Sequence, residues 1–168
     1  RYGFKIIEDA SHAIGAEYLG NKVGSCLYSD ITVFSFHPVK IITTAEGGMV
    51  LTNDEDLYNK SLILRSHGIT RDKNFLINSN EGSWYYEQQA LGFNYRMTEL
   101  QAALGISQMA RIETFISSRN QKTTFYLSKL KSLPIKLPDL PSDGNSAWHL
   151  LVIQLQNHSL RRRIFDYL

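Results

Sequence analysis

Thr32-Val33-Phe34-Ser35-Phe36-His37-Pro38-Val39-Lys40, followed by Ile41-Ile42-Thr43-Thr44-Ala45-Glu46-Gly47-Gly48-Met49-Val50-Leu51-Thr52, is two β-rich runs joined by a turn that carries one lysine. The first run, 31–36, predicts a strand because Ile31, Val33 and Phe34 are β-branched or aromatic. The second, 48–52, predicts another and is entered through a glycine pair. His37 precedes Pro38, which keeps its backbone extended and shapes the turn presenting Lys40. Upstream, residues 4–7 predict a short buried strand, with Asp9 just beyond its end. Downstream, Asn53-Asp54-Glu55 supplies cap candidates and first-turn acids for a helix over 55–65, in which Leu57, Ser61 and Leu64 share a face. Short strands alternating with helices indicate an α/β layer architecture. In such sheets ligands gather beyond the carboxyl ends of the strands. Asp9 and Lys40 both follow predicted strands, and Ser35 sits near the end of one.

The second half is less regular. Residues 69–92 show no convincing element; Asn78-Ser79-Asn80-Glu81-Gly82 marks a polar loop before Trp84-Tyr85-Tyr86, and long loops are often functional. Thr98-Glu99-Leu100-Gln101 fits a capping box. The helix it opens places Ala102, Ala103, Ile106, Met109 and Ala110 at the spacing of one buried face. A further helix is expected over 119–131, then a turn-rich connection marked by Pro134, Pro138, Pro141 and Gly144, then a strand over 148–155. Residues 1–118 are expected to form one domain, and 119–168 a linking helix and the start of a second, smaller one. The chain begins at Arg1 without an initiator methionine, which reads as an internal piece of a longer protein.

Composition excludes several classes. Hydrophobic residues make up 43% and charged residues 20% of 168, as in a globular protein with a substantial core. A net charge of +2 gives no reason to expect nucleic acid or a membrane surface as partner, and Arg161-Arg162-Arg163 reads as a solvated face. Cys26 is the only cysteine, so neither an internal disulfide nor a three-cysteine iron–sulfur cluster is available. The five histidines lack metal-ligand spacing, and no zinc site is expected. No apolar run approaches the ~20 residues of a membrane span and no signal peptide is visible, which makes the cytoplasm the expected location.

Taken singly, Lys40 reads as a surface lysine, Asp9 as a turn residue, and Ser35 as a strand serine. Together they are the parts needed to hold pyridoxal 5′-phosphate: an amine for a Schiff base, a carboxylate for the pyridinium nitrogen and a hydroxyl for the phosphate. Once released, the lysine amine can shuttle a proton between substrate and cofactor carbons. His12, three residues past Asp9, is close enough to share the pocket. Asn94 offers an amide, and Arg96 a fork of donors suited to phosphates, just before a helix start that favours anions.

With these residues assembled, the sequence resembles the DegT/DnrJ/EryC1/StrS sugar aminotransferase family. The resemblance is carried by IIEDASHAIGAEYLGNKVGS (6–25), SDITVFSFHPVKIITTAEGGMVLTND (29–54), LRSHG (64–68) and LGFNYRMTELQAALGISQ (91–108), with WHLLVIQL (148–155) a weaker match. It implies part of the large domain of a fold-type-I pyridoxal phosphate transferase, a mainly parallel sheet with flanking helices, plus the start of the small domain. It implies Lys40 as Schiff-base lysine, Asp9 as pyridinium partner, His12 against the cofactor, and Ser35 on its phosphate. It further implies Asn94 reaching the cofactor phosphate of a neighbouring subunit in a homodimer, with Arg96 and His37 toward the substrate. SFHPVK with ITTAEGG and the 69–92 stretch most resemble the pseudaminic-acid branch, which aminates a UDP-linked 4-keto-6-deoxy-N-acetylhexosamine with L-glutamate as donor. Family members are about twice this long, so the 168 residues alone are expected to lack activity. The alternatives are a sugar dehydratase of the same family, against which Lys40 and the lone Cys26 argue, and a non-catalytic cofactor-binding scaffold.

Overall fold

The computed structural model describes residues 2–139 and 142–168, so Arg1 and Pro141 lie outside the described residues. Its centre is a three-stranded sheet in the order β1-β4-β5. The strands are β1 (Ile7–Asp9), β4 (Ile31–Ser35) and β5 (Gly48–Leu51); between the first two lies a small hairpin of β2 (Glu17–Tyr18) and β3 (Asn21–Lys22). β4 alternates as its pattern requires, with Thr32 and Phe34 buried between half-buried neighbours. β1 runs parallel to it, with Asp9 opposite Val33. β5 runs antiparallel, with Gly48 opposite Ser35. Among the described residues the parallel part of the sheet is the β1–β4 ladder.

The first strand differs from expectation. It spans 7–9 rather than 4–7, so Asp9 is its last residue. The cause is the partner strand, since the parallel ladder starts where β4 starts, at Ile31 opposite Ile7. Tyr2 and Phe4 are exposed instead.

After β5, Asp54 caps α1 (Glu55–Leu64) through its side chain, which accepts from the Leu57 amide. The stretch from 69 to 92 has more order than its sequence announces. β6 (Ile69–Thr70) pairs antiparallel with β7 (Glu87–Gln88), forming the base of an excursion. Its tip is gathered by Glu87, whose carboxylate accepts from the amides of Ile77 and Asn78, both at 2.8 Å. Gly68, at φ +71°, lies so close to Ala90 that a β-carbon there would collide with its backbone.

α2 (Glu99–Met109) opens on the expected capping box, with Thr98 and Gln101 bonded reciprocally. Its inner face is not the expected one. Gln101, Ala102, Gly105 and Gln108 are half-buried, whereas Ile106 is 73% exposed and Leu100 86%. Two amides explain this: Gln101 Nε2 donates to the Glu46 carbonyl at 2.9 Å, and Gln108 Oε1 accepts from the Thr43 amide at 3.4 Å. Gly105 lets the helix close on Thr44.

α3 (Ile112–Leu130) begins earlier than expected, and no side chain caps it. Thr114, Ser117 and Ser118 are weak helix formers and hide its first turns in the sequence. The chain then forms β8 (Ile135–Lys136), β9 (Gly144–Asn145), β10 (Gln154–Leu155), a 3-10 turn and α4 (Arg161–Tyr167). β9 joins the β2 edge and β10 pairs with β8. The strand expected over 148–155 is thus confined to 154–155, because β8, its only partner among the described residues, is two residues long.

The core comprises Ala10, Ile14, Ala16, Phe34, Phe36, Ile41, Ile42, Ile116 and Ala147. Ile42 is 1% exposed. Ile42→Ala should therefore cost about 2–5 kcal/mol, through lost burial plus a cavity behind the Lys40 turn. The midpoint of chemical denaturation of the protein carrying this chain measures it, and an unchanged midpoint would contradict the packing described.

Candidate active site

Because β1 and β4 are parallel, their carboxyl ends fall on one sheet edge, and this edge gathers the expected residues. Asp9 closes β1. Beyond it Ala10 and Ile14 turn into the core, leaving Ser11, His12 and Ala13 as a turn over the edge, with the Ala13 amide donating to the Ala10 carbonyl at 2.9 Å.

Ser11 donates twice to Asp9 Oδ1, from its hydroxyl at 2.5 Å and from its amide at 3.1 Å. These bonds hold the carboxyl below the ordinary aspartate value; the hydroxyl contributes most, the amide next, and the charges of His12 and Lys40 add smaller attractions. Desolvation pulls the other way and loses. Asp9 is thus kept ionised, with both basic groups in electrostatic reach.

Ser35 closes β4, and its Oγ accepts from the His37 amide at 3.4 Å. The 37–40 turn is tied by the Lys40 amide donating to the His37 carbonyl at 3.0 Å. Ile41 and Ile42, both buried, then fasten the chain, so half-buried Lys40 is presented by a turn with anchored roots. Gly47 lies against Thr44 and Met97, a close approach to the chain's own neighbours. His37 is occupied locally: its Nδ1 accepts from the Val39 amide at 3.4 Å, and its Nε2 lies 3.9 Å from Glu46.

The structure brings Asp9, His12, Ser35 and Lys40 to one edge and puts Asn94 and Arg96 on another strip. Residues 93–95 run beside 64–67, with the Phe93 amide donating to the Leu64 carbonyl at 2.7 Å and the Tyr95 amide to the Arg65 carbonyl at 2.9 Å. Asn94 forms a bridge with Ser66, and both Asn94 and Arg96 are exposed. Among the described residues, no hydrogen bond or ion pair joins either to Asp9 or Lys40.

One neighbour of the edge was not singled out from sequence. His149 lies with its ring centroid 4.3 Å from that of His12, tilted by 56°. Burial first, then the charges of His12, Lys40 and Arg119, push its imidazole below the ordinary histidine value, so it is held neutral. In the sequence it is one histidine in an apolar run, and only the tertiary contact reveals it. Among the described residues no cluster of three metal-ligating side chains occurs, and no helix is long and apolar enough to cross a membrane.

The sequence profile of the DegT/DnrJ/EryC1/StrS aminotransferase family matches residues 1–168. The UDP-4-amino-4,6-dideoxy-N-acetyl-beta-L-altrosamine transaminase of Campylobacter jejuni is 43% identical over 126 residues, covering 75% of this chain and 31% of that protein. Helicobacter pylori PseC, an aminotransferase of pseudaminic acid biosynthesis, superposes with a TM-score of 0.81 at 34% identity, covering 96% of this chain and 41% of PseC. Streptococcus pneumoniae Spr1654, a sugar aminotransferase solved in its PMP form, gives 0.83 at 31% identity, over 96% of this chain and 41% of that one. The chain thus spans about two fifths of the length of these solved relatives. With the fold, the strand-edge lysine and aspartate and a family match over the whole sequence in agreement, this chain belongs to the DegT/DnrJ/EryC1/StrS aminotransferase family.

Proposed function

We propose that the protein carrying this chain is a pyridoxal 5′-phosphate-dependent aminotransferase acting on a nucleotide-linked keto-sugar. The observation that carries the reading is the meeting of an ionised, doubly hydrogen-bonded Asp9 with Lys40 at the carboxyl edge of parallel β1 and β4. The donor set fits the cofactor: an amine on an anchored turn, a carboxylate kept charged, a strand-end hydroxyl at Ser35 and an imidazole at His12. The solved relative Spr1654 in its PMP form supports the same choice. When bound, the cofactor supplies an electron sink for the carbon that exchanges its amino group.

Lys40 provides the covalent anchor and, when free, the base that carries a proton to and from that carbon. Asp9, whose charged form the Ser11 hydroxyl favours, would hold a proton on the cofactor's ring nitrogen. His12 would stand against the cofactor ring, and Ser35 would donate its hydroxyl to the phosphate. Asn94 and Arg96, on their separate strip, serve a site completed by a second subunit in a homodimer, Asn94 at the cofactor phosphate and Arg96 at the nucleotide-sugar phosphates. His37 sits at the substrate side of the Lys40 turn. Residues 1–118 belong to the large domain, and 119–168 form the linking helix and first part of the small one. The Campylobacter relative, named as a UDP-4-amino-4,6-dideoxy-N-acetyl-beta-L-altrosamine transaminase, and the Helicobacter aminotransferase of pseudaminic acid biosynthesis support a UDP-linked amino sugar as the product class. On this reading the substrate is a UDP-linked 4-keto-6-deoxy-N-acetylhexosamine, with L-glutamate as donor, in pseudaminic-acid and surface-glycan biosynthesis in the cytoplasm.

Addition of glutamate to the cofactor-loaded protein tests the reading. Conversion of the bound aldehyde to its amine, seen as a change in absorption, is expected; an unchanged spectrum would assign the chain to a binding scaffold. Lys40→Ala should abolish turnover, and Asp9→Asn should slow it by roughly 100-fold or more, the usual scale for removing a charge that stabilises a transition state. Normal turnover in either variant would contradict that residue's role. The aspartate also sets a pH dependence. Its depressed value means that its contribution is present above the ordinary carboxylate range and is lost as pH falls through the lowered value. Ser11→Ala removes the largest cause, so the acid limb of cofactor affinity should move to higher pH; an unmoved limb would show that Asp9 is not the group that titrates there.

A further inference from the structure

The segment 146–149 reaches the Asp9–Lys40 edge from the far end of the chain, and it is fastened there at some cost. Arg119 Nη1 donates to the carbonyls of Trp148 at 3.0 Å and His149 at 3.3 Å. Asn120 Nδ2 donates to the Ser146 carbonyl at 3.5 Å, and the Trp148 amide to Ser146 Oγ at 3.1 Å. Ala147, 1% exposed, plugs into the core that also holds Ala10 and Ile14, the residues bracketing His12. Trp148 itself takes a left-handed φ of +47°, which a bulky side chain adopts only when its surroundings force it. His149 Nδ1 is buried and, among the described residues, has no hydrogen-bond partner. A strained tryptophan and an orphaned imidazole nitrogen both oppose folding. What they achieve is the seating of one ring on another, His149 against His12.

We propose that His149 is a positioning residue of the Lys40 site, a wall that fixes the orientation of the His12 ring beside Asp9. The proposal rests on the cofactor reading above for its consequence and on the ring contact alone for its geometry. The basic groups around it, His12, Lys40 and Arg119, make a positive charge on the His149 ring unfavourable. It therefore acts by shape, and Phe can replace it.

The test uses the protein carrying this chain, with and without pyridoxal 5′-phosphate, and three variants. In the cofactor-free protein, ring signals of His12 in a carbon–proton correlation spectrum report its orientation, through the shielding expected from a ring centred 4.3 Å away. His149→Ala should shift and broaden those signals and weaken the cofactor dissociation constant about 10-fold, the scale for removing an outer support of a bound group. His149→Phe should leave the His12 signals sharp and the affinity within about twofold. His149→Gln, polar but without a ring, should behave as the alanine variant does, and it gives the same comparison should the alanine variant fail to fold. Unchanged His12 signals in His149→Ala or His149→Gln would overturn the proposal, as would a phenylalanine variant as weak as either. Borohydride labelling of Lys40 in the unsubstituted protein separates the two levels: its absence sinks the cofactor reading, while the His12 signals still decide the ring contact.

Discussion

The parallel register of β1 on β4 is the constraint from which the site follows. With Ile7 opposite Ile31 and Asp9 opposite Val33, both strands point the same way and end at the same edge. The carboxylate, the strand-end serine and the lysine turn therefore share one side of the sheet, and among the described residues no hydrogen bond joins Asp9 to Ser35 or Lys40. Burial on the other side fixes the register: Thr32 and Phe34 alternate inward on β4, and Ala10 follows Asp9 into the core. A slip by one residue would turn Phe34 outward and carry the whole inner face with it.

On that edge, hydrogen bonding rather than burial governs the aspartate. The carboxylate is exposed, so attraction across solvent to His12 and Lys40 is weak, and the two Ser11 donors dominate. The opposite balance holds at His149, where burial leads and the neighbouring cations reinforce it. One sheet edge thus favours the charged form of a carboxylate and the neutral form of an imidazole.

What was legible in the sequence was what neighbouring residues decide. β4, β5 and α1 announce themselves through side-chain type and caps, and Thr98 with Gln101 marks the start of α2. The two-residue strands β2, β3 and β6 to β9 were not legible, because their existence depends on pairing rather than on side-chain pattern. The face of α2 was misread because hydrophobic spacing favoured Ile106 and Met109, whereas Gln101 and Gln108 dock through hydrogen bonds that periodicity does not register. Asp9, Ser35 and Lys40 stand out as candidates in the sequence because they fall at or just past β-rich runs. His149 was missed because an apolar run around a histidine reads as a strand, and Arg119, which pins it, sits on a helix whose start was placed seven residues late, at 119 rather than 112.

The most direct measurement is reduction of the cofactor-loaded protein with borohydride, followed by peptide mapping. A pyridoxyl group on the peptide containing Lys40, and on no other lysine, is the predicted result. A label on another lysine, or none at all, would contradict the claim that this strand-edge amine is the covalent anchor.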